Sequence, residues 1–222
     1  KHLKFIDVVF TGVDYVDLAA ARQMGAAVSN ASGYSNDSVA ELTVCMALAL
    51  LRNLPQVEER CRTGGTKDGL VGQELRGKTV GLVGTGAIGS RVAQLFDAFG
   101  CRVIASSDFS HKPDTELITY LPLTEVLAQA DILSLHCPLN DSTRGLIGAD
   151  AIARMKPGAL LLNAARGPVV DTAALAAALH AGHLGGAGID VFEAEPPLPA
   201  DHPLLHTPNT IVTPHVAFAT AQ

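Results

Sequence analysis

From residue 79 onward the apolar positions fall into short, nearly unbroken runs, each followed by a stretch with helical spacing. The runs at 79–83, 102–106, 132–136, 159–163, 187–191 and 210–213 are rich in Val, Ile, Leu and Ala, and read as strands buried on both faces. Between them, 88–99 carries Ile88, Val92, Leu95, Phe96 and Phe99 on one side, and 149–155 and 172–181 read as further helices. Thr124 is placed to cap a short helix ahead of the third strand. Gly100 and Gly182 stand where helices end in a left-handed residue, and Pro157-Gly158 stops the helix over 149–155. Strands and helices alternating at this spacing force a parallel sheet covered on both faces, an α/β fold of the Rossmann-type, doubly wound kind. Ligands of such sheets bind beyond the carboxyl ends of the strands.

The first third is less regular. A strand over 3–10 meets a Thr11-Gly12 turn, a short helix over 14–24 follows with Val16, Ala19 and Ala20 on one face, and Gly25 leads into a strand over 26–29. This βαβ fragment reads as a remnant of a second, flavodoxin-like parallel-sheet domain. After a loop at 32–36, Asp37 or Ser38 can cap a helix over 39–52 that is apolar nearly all round, and such a helix must be buried in a core or against another subunit. Residues 64–77 read as a linker-like passage. The expected division is 1–33 for the remnant, 34–216 for a nucleotide-binding domain that includes the apolar helix, and 217–222 for the start of a return to the first domain.

Composition narrows the function. The 222 residues carry a net charge of −6 and no Lys/Arg cluster, which argues against nucleic acid, because phosphate binding needs a basic face. The longest apolar run is interrupted by Thr43 and is too short to span a bilayer, so no membrane role is expected. Cys45, Cys61, Cys101 and Cys137 form no CxxC pair and no metal-like spacing, and read as free thiols of a reducing cytoplasm with no metal site. The chain opens on Lys1 directly into a strand-like run and stops at Gln222 just after a run ready to enter a helix. Both ends read as cut from something longer.

The strongest local signal is Gly84-Thr85-Gly86-Ala87-Ile88-Gly89, which follows a strand and opens an amphipathic helix. Gly84 permits the tight turn, Gly86 lets backbone N–H groups approach a pyrophosphate, and Gly89 allows close helix–strand packing. The helix N-terminus adds unpaired N–H groups and a partial positive charge. A dinucleotide cofactor is expected. An acidic group for the ribose falls about 20 residues on: Asp108 is available one residue late, with Ser107 in the usual place. His111 and Lys112 follow and could pair with a 2′-phosphate. The expectation is NAD, with NADP as the alternative.

Polar residues also sit just past the later strand ends: Arg166 after the fourth run, Asp190 in the fifth with Glu193 and Glu195 beyond it, and His215 after the last. Six motifs in order carry a family resemblance: the glycine loop, Leu135-His136-Cys137-Pro138-Leu139, Met155-Lys156-Pro157-Gly158, Asn163-Ala164-Ala165-Arg166-Gly167-Pro168-Val169-Val170-Asp171, Gly188-Ile189-Asp190-Val191-Phe192-Glu193-Ala194-Glu195-Pro196 and Thr213-Pro214-His215. With Phe10-Thr11-Gly12-Val13-Asp14 near the start, the chain resembles the D-isomer-specific 2-hydroxyacid dehydrogenases along almost its whole length.

The resemblance implies an oxidoreductase that transfers a hydride between NAD(P)H and a small 2-keto or 2-hydroxy acid. It puts the catalytic arginine at Arg166, the glutamate at Glu195 and the histidine at His215; family position alone decides against Glu193. The chemistry agrees. Arg166 can fork onto the substrate carboxylate and keto oxygen, which Lys, lacking the planar fork, does poorly. An imidazole can give or take the proton, so His215 suits the acid–base role, and Glu195 would fix its tautomer. By the same resemblance Thr11 and Gly12 face the substrate carboxylate, and Cys137, Pro138, Thr143, Ala164 and Asp190 line the cofactor, with Thr43 touching it from the apolar helix. Ala87 stands where the family often carries Arg. His136 reads as packed rather than catalytic. The apolar helix resembles the family's dimer-forming helix, so a homodimer is expected. Formate enzymes of the family carry Gln at the position of Glu195, whereas phosphite oxidisers share all three catalytic residues. A dinucleotide-sensing corepressor of the same fold is the reading from another class.

Overall fold

Parallel pairing governs the whole molecule. The computed structural model describes residues 3–108 and 112–221. Near the start, β1 (Phe5–Val8), α1 (Leu18–Gln23) and β2 (Ala27–Asn30) form a two-stranded parallel unit. Asp17 caps α1 by accepting from the Ala20 N–H at 2.8 Å. Two helices follow, α2 (Asn36–Leu51) and α3 (Leu54–Arg62). The remainder alternates: β3 (Thr79–Val83), α4 (Ala87–Ala98), β4 (Arg102–Ser106), β5 (Thr119–Leu121), α5 (Leu123–Gln129), β6 (Ile132–Leu135), α6 (Ala149–Arg154), β7 (Leu160–Asn163), α7 (Thr172–His180), β8 (Gly186–Ile189) and β9 (Thr210–Val212).

The seven later strands form one parallel sheet in the order β5-β4-β3-β6-β7-β8-β9. The order reverses between β3 and β6, and a ligand crevice opens beyond the strand ends at such a switch point. One core cluster gathers Leu127, Ile152, Val169, Leu175 and Leu179 under α5–α7, the other gathers Ala40, Val44, Leu50, Val92 and Phe96 under α2 and α4. Gly100 and Gly182 have φ of 78° and 68°, the left-handed helix ends expected of them.

Several expectations are corrected. The helix over 39–52 starts earlier, at Asn36, with Ser35 in the cap position and no side-chain cap bond. Asp37 instead pairs with Arg91 of α4 at 2.6 Å, and Ser38 bonds back to the Ser35 carbonyl. α2 is not buried all round: Val39, Met46, Ala47 and Leu50 pack inward while Glu41 and Cys45 face solvent. α3 and β5 were not expected. α3 buries no residue, so it has no apolar stripe to read, and β5 is a three-residue strand. Thr124 does not cap α5. Pro122 holds that position, and the Asp108 carboxylate accepts the Leu123 N–H at 3.0 Å.

Candidate active site

The glycine loop lies at the switch point, and its three glycines divide by purpose. At Gly84 φ is 99°, and a Cβ would come within 2.7–2.8 Å of the His136 carbonyl and the Cys137 nitrogen. At Gly89 a Cβ would overlap the Gly84 carbonyl. Both glycines are therefore demanded by the packing of β3, α4 and the end of β6. Gly86 is different: its φ is an ordinary −70° and a Cβ there would meet nothing. The space kept open above Gly86, at the N-terminus of a twelve-residue helix, fits a pyrophosphate approached by backbone N–H groups. The chain's residues thus fit the dinucleotide that the loop implies. Ala87 is exposed beside this space and Ile88 is half-buried, packing inward.

Around that cradle the structure reassigns several side chains. Asp108 is exposed, but one carboxylate oxygen is committed to α5, and its own N–H donates to the Ser106 hydroxyl. Ser107, half-buried, is tied by its N–H to the Leu121 carbonyl. Lys112 donates to the Thr85 carbonyl at 2.6 Å, and Tyr120 donates to the Thr85 hydroxyl at 2.9 Å, so both brace the glycine loop. His111 lies outside the described residues. Cys137 turns its thiol into the core, where burial pushes it up to about 11, and only its backbone borders the cradle. Pro138 next to it is exposed. Thr143 is buried, accepts from the Asn140 N–H and donates to the Pro138 carbonyl at 2.6 Å, so it shapes the loop after β6. Thr43 is also buried and bonds back to the Val39 carbonyl within α2. His136, packed as expected beside Gly84, is pushed down to about 4 by burial and bonds the Ser134 hydroxyl at 2.8 Å.

A second constellation forms where β7, β8 and β9 end side by side. Arg166 leaves β7 after Ala164 and Ala165, and Asn163 fixes that turn through bonds to the Arg166 carbonyl and the Ala165 N–H. Asp190, directly after β8, is 0 % exposed. Its carboxylate accepts the Thr213 hydroxyl at 2.6 Å and the Val216 and Ala217 N–H groups at 2.9 Å each. These bonds tie down the loop after β9 and help hold His215, at φ 55°, in a left-handed conformation that costs a non-glycine residue about 1–3 kcal/mol.

That loop presents His215 to Glu195, whose two carboxylate oxygens both lie 2.9 Å from Nδ1. The neutral or charged ring donates through Nδ1, and Nε2 has no partner among the described residues. Glu193, two residues earlier, turns away: it accepts the Thr172 hydroxyl at 3.0 Å and lies 3.2 Å from Nε2 of His202. Of the two glutamates, Glu195 is the one that meets His215.

The loop after β1 closes over both groups. A Cβ on Gly12 would fall on Nη2 of Arg166, so the guanidinium lies against the bare backbone there. Thr11 is exposed and its carbonyl accepts from Asn30 at 2.6 Å. Phe10 meets Phe218 edge-on at 5.8 Å, and Phe218 meets the His215 ring edge-on at 5.7 Å. Phe218 and Asp14 were not foreseen as site residues; their contacts bridge chain segments too distant for any local pattern.

Comparison with known proteins agrees with this geometry. The sequence pattern described as the D-isomer specific 2-hydroxyacid dehydrogenase, NAD binding domain, matches residues 44–217. A hydroxypyruvate reductase of Thermotoga maritima is 40 % identical over all of this chain and 73 % of its own length. A glyoxylate reductase of Aeropyrum pernix is 40 % identical over 99 % of this chain and 68 % of its own. The crystal structure of a D-lactate dehydrogenase from Aquifex aeolicus, complexed with NAD and lactic acid, superposes with a TM-score of 0.91 at 35 % identity, over 99 % of this chain and 71 % of that one. The match over residues 44–217 and these relatives place the chain among the D-isomer specific 2-hydroxyacid dehydrogenases, a family of NAD-dependent oxidoreductases.

Proposed function

We propose that this protein reduces a small 2-oxo acid to the D-2-hydroxy acid with NADH, and runs the same reaction backwards with NAD. The observation that carries the reading is the pinning of His215 Nδ1 by both oxygens of Glu195, beside an arginine shared with the β1 loop. Nδ1 is occupied, so Nε2 is the atom left to exchange a proton. Arg166 binds the substrate carboxylate and keeps the keto oxygen toward His215. The bound dinucleotide supplies the hydride to the carbonyl carbon. As that bond forms, His215 gives its proton to the oxygen, and the Glu195 carboxylate steadies the imidazolium before transfer; in the oxidative direction His215 takes the proton. Phe10 and Phe218 beside the ring favour small, uncharged substituents, of the glyoxylate, pyruvate or hydroxypyruvate class.

In this reading the residues up to 33 supply the substrate side of the site, 34–216 hold the nucleotide, and the chain from 217 turns back toward the first unit. Asp108, whose second carboxylate oxygen has no partner among the described residues, is the group we assign to the ribose. The outward face of α2, with Glu41, Leu42 and Cys45, is where a second subunit would pack, and the free thiols suit a cytoplasmic protein. The test is absorbance of the reduced nicotinamide with glyoxylate, pyruvate and hydroxypyruvate, followed by chiral analysis of the product. Turnover to the D-isomer is expected. NAD reduction by phosphite with no turnover of any 2-oxo acid would overturn the reading. Light scattering reads the subunit count.

A further inference from the structure

The Arg166 guanidinium is held at two of its three nitrogens. Nε donates to the Asp14 carboxylate at 2.5 Å, and Nη1 donates to the Ala165 carbonyl at 2.6 Å. Nη2 lies on the Cα of Gly12 and has no acceptor among the described residues. Asp14 is contributed by the loop after β1, 152 residues away in the chain, and both partners are about one-third exposed. An arginine with one carboxylate on Nε and one carbonyl on Nη1 cannot rotate about its own plane. Its remaining N–H bonds, two on Nη2 and one on Nη1, then form an end-on fork in a fixed direction.

Asp14 has the wrong charge for a group that binds an anion, and among the described residues no other cation is paired with it. Two roles are open to a carboxylate so placed. It can compete with substrate for the arginine, or it can aim the arginine. Competition would put the substrate on Nε and require Asp14 to leave. Aiming leaves Nε to Asp14 and gives the substrate Nη2, the nitrogen found without an acceptor and laid bare by the missing side chain of Gly12. We infer that Asp14 is a positioning residue for Arg166, and that the substrate carboxylate is taken end-on through Nη2 while Asp14 stays in place. This rests on the assignment of Arg166 to the substrate carboxylate. The small N-terminal unit then contributes to the site chiefly by aiming an arginine that belongs to the sheet.

The test compares Asp14→Ala, Asp14→Asn and Arg166→Lys, singly and combined, in the purified protein. NADH binding is read by nucleotide fluorescence, and oxamate, a non-reacting 2-oxo acid analogue, probes the protein–NADH complex. Asp14→Ala should raise the oxamate Kd and the KM for pyruvate on the order of 10- to 100-fold, with NADH affinity unchanged. Asp14→Asn, which keeps an oxygen for Nε, should recover most of that loss. In the Arg166→Lys background, which has no Nε–H, Asp14→Ala should add almost nothing. Tighter oxamate binding by Asp14→Ala would mean competition and would overturn the proposal, as would an equal effect in both backgrounds. Arg166→Lys without effect on oxamate would instead sink the assignment of Arg166 beneath it.

Discussion

Glu193 and Glu195 leave the end of β8 two residues apart, and each reaches a histidine that follows it in the chain. The environments differ. His202 is 6 % exposed, stacks edge-on against Phe192 at 5.4 Å, accepts the Leu204 N–H through Nδ1 and meets Glu193 through Nε2. Both ring nitrogens are used, and Glu193 is further tied to Thr172. His215 is 33 % exposed and its Glu195 66 %; one ring nitrogen is pinned and the other is left over. The same two residue types thus make a fastener in one place and, in the proposed reaction, an acid–base pair in the other. What separates them is the spare nitrogen and the neighbouring arginine, not the pair itself. His136 completes the series: half-buried beside the glycine loop, it does neither job.

The largest effect should come from Asp190, because its carboxylate ties down the whole loop that carries His215. Asp190→Ala leaves the Thr213 hydroxyl and the Val216 and Ala217 N–H groups without their acceptor, a loss of about 3 kcal/mol or more. It should also release His215 from its left-handed conformation, so both melting temperature and turnover fall. Turnover unchanged in a folded Asp190→Ala protein would show that the His215 loop holds itself.

Next is the half-buried His136. Its imidazole titrates near 6.5 when free and is pushed down to about 4 by burial. Between those values the unfolded chain binds a proton that the folded chain refuses. This stability is therefore fully present above pH 6.5 and is lost as pH falls toward 4, by up to roughly 3 kcal/mol, less for the part of the ring that solvent reaches. Urea melts at several pH values should show a shallower acid decline for His136→Gln; parallel declines would remove burial as the cause.

His202→Gln should cost about 1–3 kcal/mol, seen as a lower melting temperature, while turnover at low temperature changes little. The smallest change separates the glycines in the same manner as the histidines. Gly86→Ala should weaken NADH binding about tenfold, which is close to 1.4 kcal/mol, with the melting temperature intact. Gly89→Ala should unsettle the fold instead. A stability loss from Gly86→Ala would mean that the open space serves packing after all.

Much of this was legible in the sequence, and for physical reasons. Five of the seven strands of the large sheet are continuous apolar runs because they are buried on both faces, and Gly84-x-Gly86-x-x-Gly89 marks a turn that admits few other residues. Helix α3 and strand β5 escaped because neither presents a periodic buried face. The hydrogen-bond partners of Asp190, Thr143 and Thr43 escaped because a motif tells which residue stands at a position, not which way its side chain turns. Asp14 and Phe218 escaped for a further reason: their partners lie across the fold, at separations where spacing carries no signal.

The most direct test of the account sets His215→Gln beside His202→Gln, measuring NADH affinity and the rate of 2-oxo acid reduction in both. The account predicts that both proteins bind NADH as the parent does, that His215→Gln loses on the order of 10²–10⁴-fold in rate, and that His202→Gln stays within a few-fold of the parent. A His215→Gln protein that turns over at the parent rate, or an equal loss in both, would contradict it.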